Sequence, residues 1–229
     1  MDPFATKGIE YLLVFGYLFL LVPFWLLLSW IARQQQPVAA VASASRAMAP
    51  RPWFEVPEGF HFHRGHTWAR PDDGGVLRVG IDDFAQQLIG EPSSLILPQV
   101  GDHVAQGERG WQLQVEDHEV DLLSPLNGEV VAVNQDAIRD PELVCQDPYG
   151  RGWLMKVRAR SPKTALKNLL PDKLAQAWMD EAAGQLGRLM GGELGPVLQD
   201  GGTPIRGFAR QLGGDRWPEV AAQLLMTQE

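Results

Sequence analysis

The sequence predicts a mainly β domain with a helix on its N-terminal side and a helical extension on its C-terminal side. Three observations predict it. Residues 111–125, WQLQVEDHEVDLLSP, alternate apolar and polar positions on both sides of an acidic tip, the period-2 signal of a hairpin. Residues 11–32 run through 22 consecutive uncharged, mostly apolar positions. Residues 171–190 repeat apolar residues at the helical period.

The first element, residues 11–32, has the length of about 20 residues that spans a bilayer as a helix. Tyr11, Trp25 and Trp30 are suited to the interfaces, and Pro23 is tolerated inside a membrane helix. A signal peptide would show a basic start and a shorter apolar core. Here Lys7 stands beside Asp2 and Glu10, although the small-residue run VASASRA (41–47) imitates a cleavage site. The expectation is a single-pass anchor in the cell's inner membrane. Arg33, Arg46 and Arg51 follow the helix and Lys7 alone precedes it, which places the globular part on the cytoplasmic side. Residues 1–33 thus form the anchor segment. Residues 34–50, rich in Gln, Ala, Ser and Pro, read as a linker.

Residues 51–160 carry the β domain. Residues 60–70 and 76–81 read as two strands paired around the PDDGG turn, and residues 82–88 as a short helix with Asp82 or Asp83 at its N-cap. Further strands are expected at 94–97, in the two arms of the hairpin, at 129–134 and at 152–157, with a helical turn near 141–144. Two sheets forming a flattened barrel or sandwich follow from that list. Residues 161–229 form the helical extension. Leu174, Ala177, Trp178, Ala182, Leu186, Leu189 and Met190 share one face of a helix that Gly191-Gly192 ends, and Pro218 opens a last helix at 218–227. These helices either pack on the barrel or dock on another protein; a membrane-surface role would call for more Lys and Arg.

A net charge of −8 argues against a nucleic-acid partner. The single cysteine, Cys145, excludes an internal disulfide and a CxxC pair, and neither nucleotide-binding glycine fingerprint is present.

HTWAR (66–70), VGIDDFAQQLIGE (79–91), LPQVGDHV (97–104), SPLNGEVVAVN (124–134), DPELV (140–144) and DPYGRGWLMKV (147–157), with the hairpin between them, resemble the glycine cleavage system H protein family in order and spacing. The resemblance implies a barrel-sandwich hybrid fold of the lipoyl and biotinyl type. It also implies a lysine at the hairpin tip that carries lipoate. Counting back from Ser124-Pro125, that position is Asp117, and no lysine lies between Lys7 and Lys156. Lipoyl attachment requires an amine, so no cofactor is expected. Fold alone does not transfer the activity.

Two constellations bear on chemistry. His61, His63 and His66 have the residue type of a zinc site, but no acidic or cysteine ligand completes the set by spacing, and His66 lies where the resembled family has a structural histidine. No metal site is therefore expected. Glu116, Asp117, His118 and Glu119 gather three carboxylates and an imidazole at an exposed turn, which suits a solvated acidic tip or a contact with a basic partner better than catalysis. With Trp178, these four are the candidate partner contacts. The expected role is a non-enzymatic, non-lipoylated accessory subunit of a larger membrane complex, of which a respiratory or redox assembly is an example. Its partners would be integral membrane subunits and the bilayer, with no small-molecule substrate. The rival readings are a decoy for glycine decarboxylase or lipoate ligase and an enzyme using the three histidines.

Overall fold

The structure, a computed structural model, describes Tyr17, Phe19 and Leu21, residues 52–193 and residues 205–228. The expected membrane helix at 11–32 and the linker at 34–50 lie outside the described residues, save the helical positions Tyr17, Phe19 and Leu21. Among the described residues no helix is long and apolar enough to cross a membrane. Met1–Arg51 and Pro52–Glu229 are separate compact units.

Two antiparallel sheets organise the second unit. The larger is built from β1 (His61–His63), β2 (Thr67–Pro71), β3 (Leu77–Ile81), β5 (His103–Val104), β8 (Gly128–Val133), β9 (Met155–Arg158) and β10 (Leu170–Pro171), in the order β10-β1-β2-β3-β9-β8-β5. The smaller contains β4 (Ser94–Ile96), β6 (Arg109–Val115) and β7 (His118–Leu123), in the order β4-β6-β7. The alternation read in the sequence places Trp111, Leu113, Val115, Val120 and Leu122 in the core, beside Leu77, Val79, Ile81, Val130 and Val157 of the larger sheet. The mainly β, two-sheet architecture is the one expected.

Helix α1 (Asp83–Ile89) is capped as the sequence indicates: Asp82 is extended and its side chain accepts from the Ala85 N–H. Two short helices, α2 (Gln135–Arg139) and α3 (Leu143–Gln146), follow β8. Asn134 caps α2 and its amide also donates to the carbonyls of Arg151 and Trp153, which ties the loop before β9 to this corner. Cys145 is buried on α3 with its thiol directed to the Gly90 carbonyl at 3.2 Å, and burial pushes its pKa up to about 12.

The stretch at 60–70 is not one strand. It folds into the β1–β2 hairpin, with His61 opposite Ala69 and His63 opposite Thr67. The turn needs His66 at φ 58°, and Gly65 fits it because a Cβ there would lie 3.2 Å from both Leu123 Cδ1 and the Leu225 carbonyl. Trp68 is fully buried and donates its indole N–H to the Ile81 carbonyl at 2.7 Å.

After α4 (Pro162–Ala165), the helix α5 spans Asp172–Glu193, running through the glycine pair expected to end it. Glycine lowers helix propensity by only about 1 kcal/mol, so two glycines do not stop a helix that packing supports. Its buried side is Ala175, Met179 and Leu186, with Trp178 half-buried, whereas Leu174 and Leu189 of the expected apolar face are 61% and 55% exposed. Helices α6 (Phe208–Gly213) and α7 (Trp217–Leu224) close the chain. Phe208, Ala209, Trp217, Ala221 and Leu225 belong to the same core cluster as the sheets. The C-terminal helices therefore pack on the barrel.

Candidate functional site

The β6–β7 hairpin closes tightly. Val115 pairs with His118, leaving Glu116 and Asp117 as a two-residue loop. Glu116 sits at φ 54°, a left-handed conformation disfavoured for a residue with a Cβ, and the Gln114 side chain braces it by donating to the Glu116 carbonyl at 3.0 Å. Glu116, Asp117, His118 and Glu119 are all exposed. The same face of the hairpin continues the acidic surface. Gln112 donates to Glu119 at 3.1 Å and to Asp121 at 2.8 Å, and Arg109 pairs with Asp121 at 2.9 Å. These bonds hold two carboxylates in place without burying them. Asp117 makes no hydrogen bond or ion pair among the described residues.

The C-terminal helices reach this tip. Arg210 of α6 pairs with Glu116 at 3.1 Å and lies over the Trp217 ring, 5.1 Å from its centroid. The Trp217 indole meets the His118 imidazole edge-on at 5.5 Å. Arg210 is thus held between the tip carboxylate and an aromatic face. Neither Arg210 nor Trp217 was marked by a sequence motif; a contact between positions some 90 residues apart has no local spacing rule to reveal it.

The three histidines part company. His61, at the start of β1 between β10 and β2, has its pKa lowered by burial, which Asp172 partly counters. His63 is lowered by burial and then by the neighbouring His66, and its Nδ1 accepts the Gly65 N–H. His66 is buried, directs Nδ1 to Asp82 at 2.9 Å, stacks on Phe84 at 3.9 Å and meets Trp178 at 4.7 Å. Trp178, expected as a partner contact, is half-buried against this imidazole within its own chain. Among the described residues no group of three or more His, Cys, Asp or Glu is placed to hold a metal ion.

The lysines lie elsewhere. Lys156 on β9 binds Asp72 at 2.7 Å and lies over Trp153, with Arg78 donating to the same carboxylate. Lys163 and Lys167 follow β9 in and after α4, and Lys173 is in the first turn of α5. None is on the hairpin.

Two antiparallel sheets displaying one tight hairpin define a domain of the lipoyl-like class. Within that class, the glycine cleavage H-protein family model matches residues 60–182, and the chain belongs to that family. The match continues past residue 160, where the resemblance in the sequence stops, and takes in the first half of α5. The chain is similar to the probable glycine cleavage system H protein of Natronomonas pharaonis, 44% identical over 106 residues that make up 46% of this chain and 83% of that protein. It is similar also to the glycine cleavage system H protein of Idiomarina loihiensis, 37% identical over 126 residues, 55% of this chain and 97% of that one. The crystal structure of a glycine cleavage system H protein from Mycobacterium marinum aligns with a TM-score of 0.48 at 33% identity, covering 58% of this chain and 99% of that chain. Helices α6 and α7 fall outside the matched residues.

Proposed function

We propose that this chain is a non-lipoylated member of the H-protein family, anchored in the inner membrane by residues 11–32, that acts as a docking subunit of a larger membrane complex. The observation that carries the reading is the hairpin tip. By the register of the resemblance Asp117 stands where the family's lipoyl lysine would be, and the tip offers carboxylates where an amide to lipoate needs an amine. No lysine elsewhere takes the role by position, since Lys156 is bound to Asp72 on a sheet strand. The residues present do not fit the family's group, and no carrier step runs through this hairpin.

What remains at the tip is an acidic surface: Asp117, unpaired among the described residues, beside Glu119 held by Gln112 and Asp121 held by Gln112 and Arg109. Such a surface suits a basic patch on a protein partner, with the charges setting orientation and encounter rate more than affinity. The membrane anchor supplies the second point of attachment, which raises the effective concentration of the domain at a membrane-bound partner.

The test is to isolate the tagged full-length chain from gently solubilised native membranes and record both its intact mass and what accompanies it. An unmodified mass with stoichiometric integral-membrane partners supports the proposal. A lipoylated mass overturns it, and so does recovery alone or with soluble lipoate-attachment or glycine-cleavage enzymes. Asp117→Lys separates the role of the tip from that of the anchor. It should loosen partner binding most at low salt, where a reversed charge is least screened.

A further inference from the structure

Helices α6 and α7 do more than cover the sheets. Where α7 passes α5, the two leave a cleft of about 440 Å³ whose walls include Phe84, Trp178, Leu186 and Leu224, with His66 among its lining residues. That volume lies within the range of small-molecule sites, about 300–1,000 Å³. The extension itself contributes Gln223, Leu224 and Met226, so the cleft depends on the part of the chain beyond the family match.

Of the polar residues that line the cleft, Arg64, Glu181, Gln185 and Gln223 are exposed, and His66 is the buried one. The His66 side chain is 5% exposed and its Asp82 partner is fully buried. One Asp82 oxygen accepts the Ala85 N–H at 2.9 Å; the other takes His66 Nδ1 at 2.9 Å. With both carboxylate oxygens acting as acceptors, the hydrogen of the neutral ring sits on Nδ1 and leaves Nε2 as a lone-pair acceptor. Nε2 has no hydrogen-bond partner among the described residues. Stacking on Phe84 at 3.9 Å and the tilted Trp178 ring at 4.7 Å fix the plane of the ring. At the rim Arg64 and Glu181, both exposed, balance one another in charge. A larger groove of about 800 Å³ beside β5 and β8 differs in kind: its polar lining residues, His103, Gln106, Arg158 and Ser161 among them, are none of them buried.

We infer that the His66 cleft binds a small, uncharged aromatic alcohol, whose ring lies against the half-buried Trp178 and whose hydroxyl donates to His66 Nε2. The Trp178 and Leu224 side chains favour a flat apolar body, the buried acceptor selects one O–H, and the Arg64–Glu181 rim gives no advantage to a net charge. Asp82 is a positioning residue, because it decides which ring nitrogen accepts.

The probes are 2-naphthol and 2-methoxynaphthalene, which share a ring system and differ in the donor. Binding to the full-length chain in detergent is measured by equilibrium dialysis, and the ¹⁵N resonances of His66 are followed in parallel. The expected result is a preference of roughly tenfold for the naphthol, the size of one net hydrogen bond, with the Nε2 resonance moving on binding. Asp82→Asn retains an oxygen to cap Ala85 while its amide donates to Nδ1. That places the ring hydrogen on Nε2, and the preference for naphthol should disappear. Ala182→Phe fills the cleft without touching the pair and should weaken both probes at least tenfold. Equal affinity of the wild-type chain for the two probes, a naphthol preference that survives Asp82→Asn, or binding indifferent to Ala182→Phe would each overturn the inference.

Discussion

Replacing Phe208 by alanine tests whether the C-terminal helices are part of the folding unit or an appendage resting on it. Phe208 is fully buried, its ring centroid 5.6 Å from Phe84 on α1 and 6.4 Å from Phe54 in the segment leading into β1. Truncating it removes a large apolar side chain and leaves a hole between three segments that are each tied down elsewhere: Asp83 accepts the Glu55 N–H at 2.8 Å, and Gly207 donates to the Gln87 carbonyl at 2.7 Å. Little collapse is available, which puts the loss at about 3–5 kcal/mol. For a unit of this size that corresponds to a fall of roughly 6–20 °C in Tm. Urea unfolding of the full-length chain, followed by tryptophan fluorescence, should show the midpoint falling with an unchanged m-value. Leu174→Ala, at a position 61% exposed on α5, is the control and should stay within about 0.5 kcal/mol of wild type. A loss under about 1 kcal/mol for Phe208→Ala would refute the packing, because no fully buried aromatic truncation is that mild. A second, separate transition would show that the extension unfolds by itself.

Three further outcomes are expected. Asp72 has its pKa lowered from 3.8 to about 2, first by the Lys156 ammonium and also by Arg78. A depressed carboxyl pKa contributes stability that is present above about pH 4 and is lost as pH falls toward 2. Asp72→Asn should therefore cost about 1–2 kcal/mol at pH 6, discounted for its place near the surface, and only a small fraction of that near pH 2, as measured by urea midpoints at the two pH values. Gly80→Ala would set a Cβ 2.6 Å and 2.8 Å from ring atoms of Trp68, whose indole is pinned to Ile81; a loss of about 1–3 kcal/mol is expected, and an unchanged melting temperature would show that the ring can move. Glu116→Arg and Arg210→Glu should each weaken the tip contact by under about 1 kcal/mol and, combined, recover part of it, since Glu116 is exposed while Arg210 is half-buried against Trp217. A double-mutant cycle with no coupling at low salt would mean that the pair contributes nothing.

The hairpin was legible because two physical signals coincide there: period-2 alternation on both arms and a polar tip short enough to close in two residues. An acidic cap at Asp82 or Asp83 is legible because capping is local chemistry, settled within three residues; the structure gives it to Asp82. The break at Arg64-Gly65 was not, since aromatic and β-branched residues run on either side of it and only the positive φ of His66, held by packing, turns the chain. The buried side of α5 differs from the apolar face of its sequence for a related reason. Leu174 and Leu189 are the more apolar residues, yet small Ala175 is what lets the helix approach Phe60, Phe62 and Trp68 closely. Hydrophobicity predicts which residues benefit from burial; close approach depends on which residues are small. The pairing of β10 with β1, only two residues long, left no pattern to read.

The contacts at the tip bear on what the hairpin is for. A carrier arm works by moving, so its attachment point should be unencumbered. Here the turn is held by the Val115–His118 pairing, by Arg210 on Glu116 and by Trp217 on His118. The helices that present Arg210 and Trp217 are rooted in the core through Phe208 and Trp217, so the positions from which these side chains reach the tip are fixed even where the side chains can turn away. Each ion pair is weak, but the geometry they share does not depend on their strength; it depends on the buried residues behind them. A fixed acidic surface loses little conformational freedom when a partner binds, which is the circumstance in which modest charge complementarity becomes useful affinity. On the proposed docking role, loosening the root should therefore weaken binding of that partner even when every tip carboxylate is intact. Phe208→Ala, assayed below its melting temperature, should cost affinity in proportion to the mobility it gives Arg210. If instead partner binding ignores Phe208→Ala while Asp117→Lys abolishes it, the charge matters and the clamp does not.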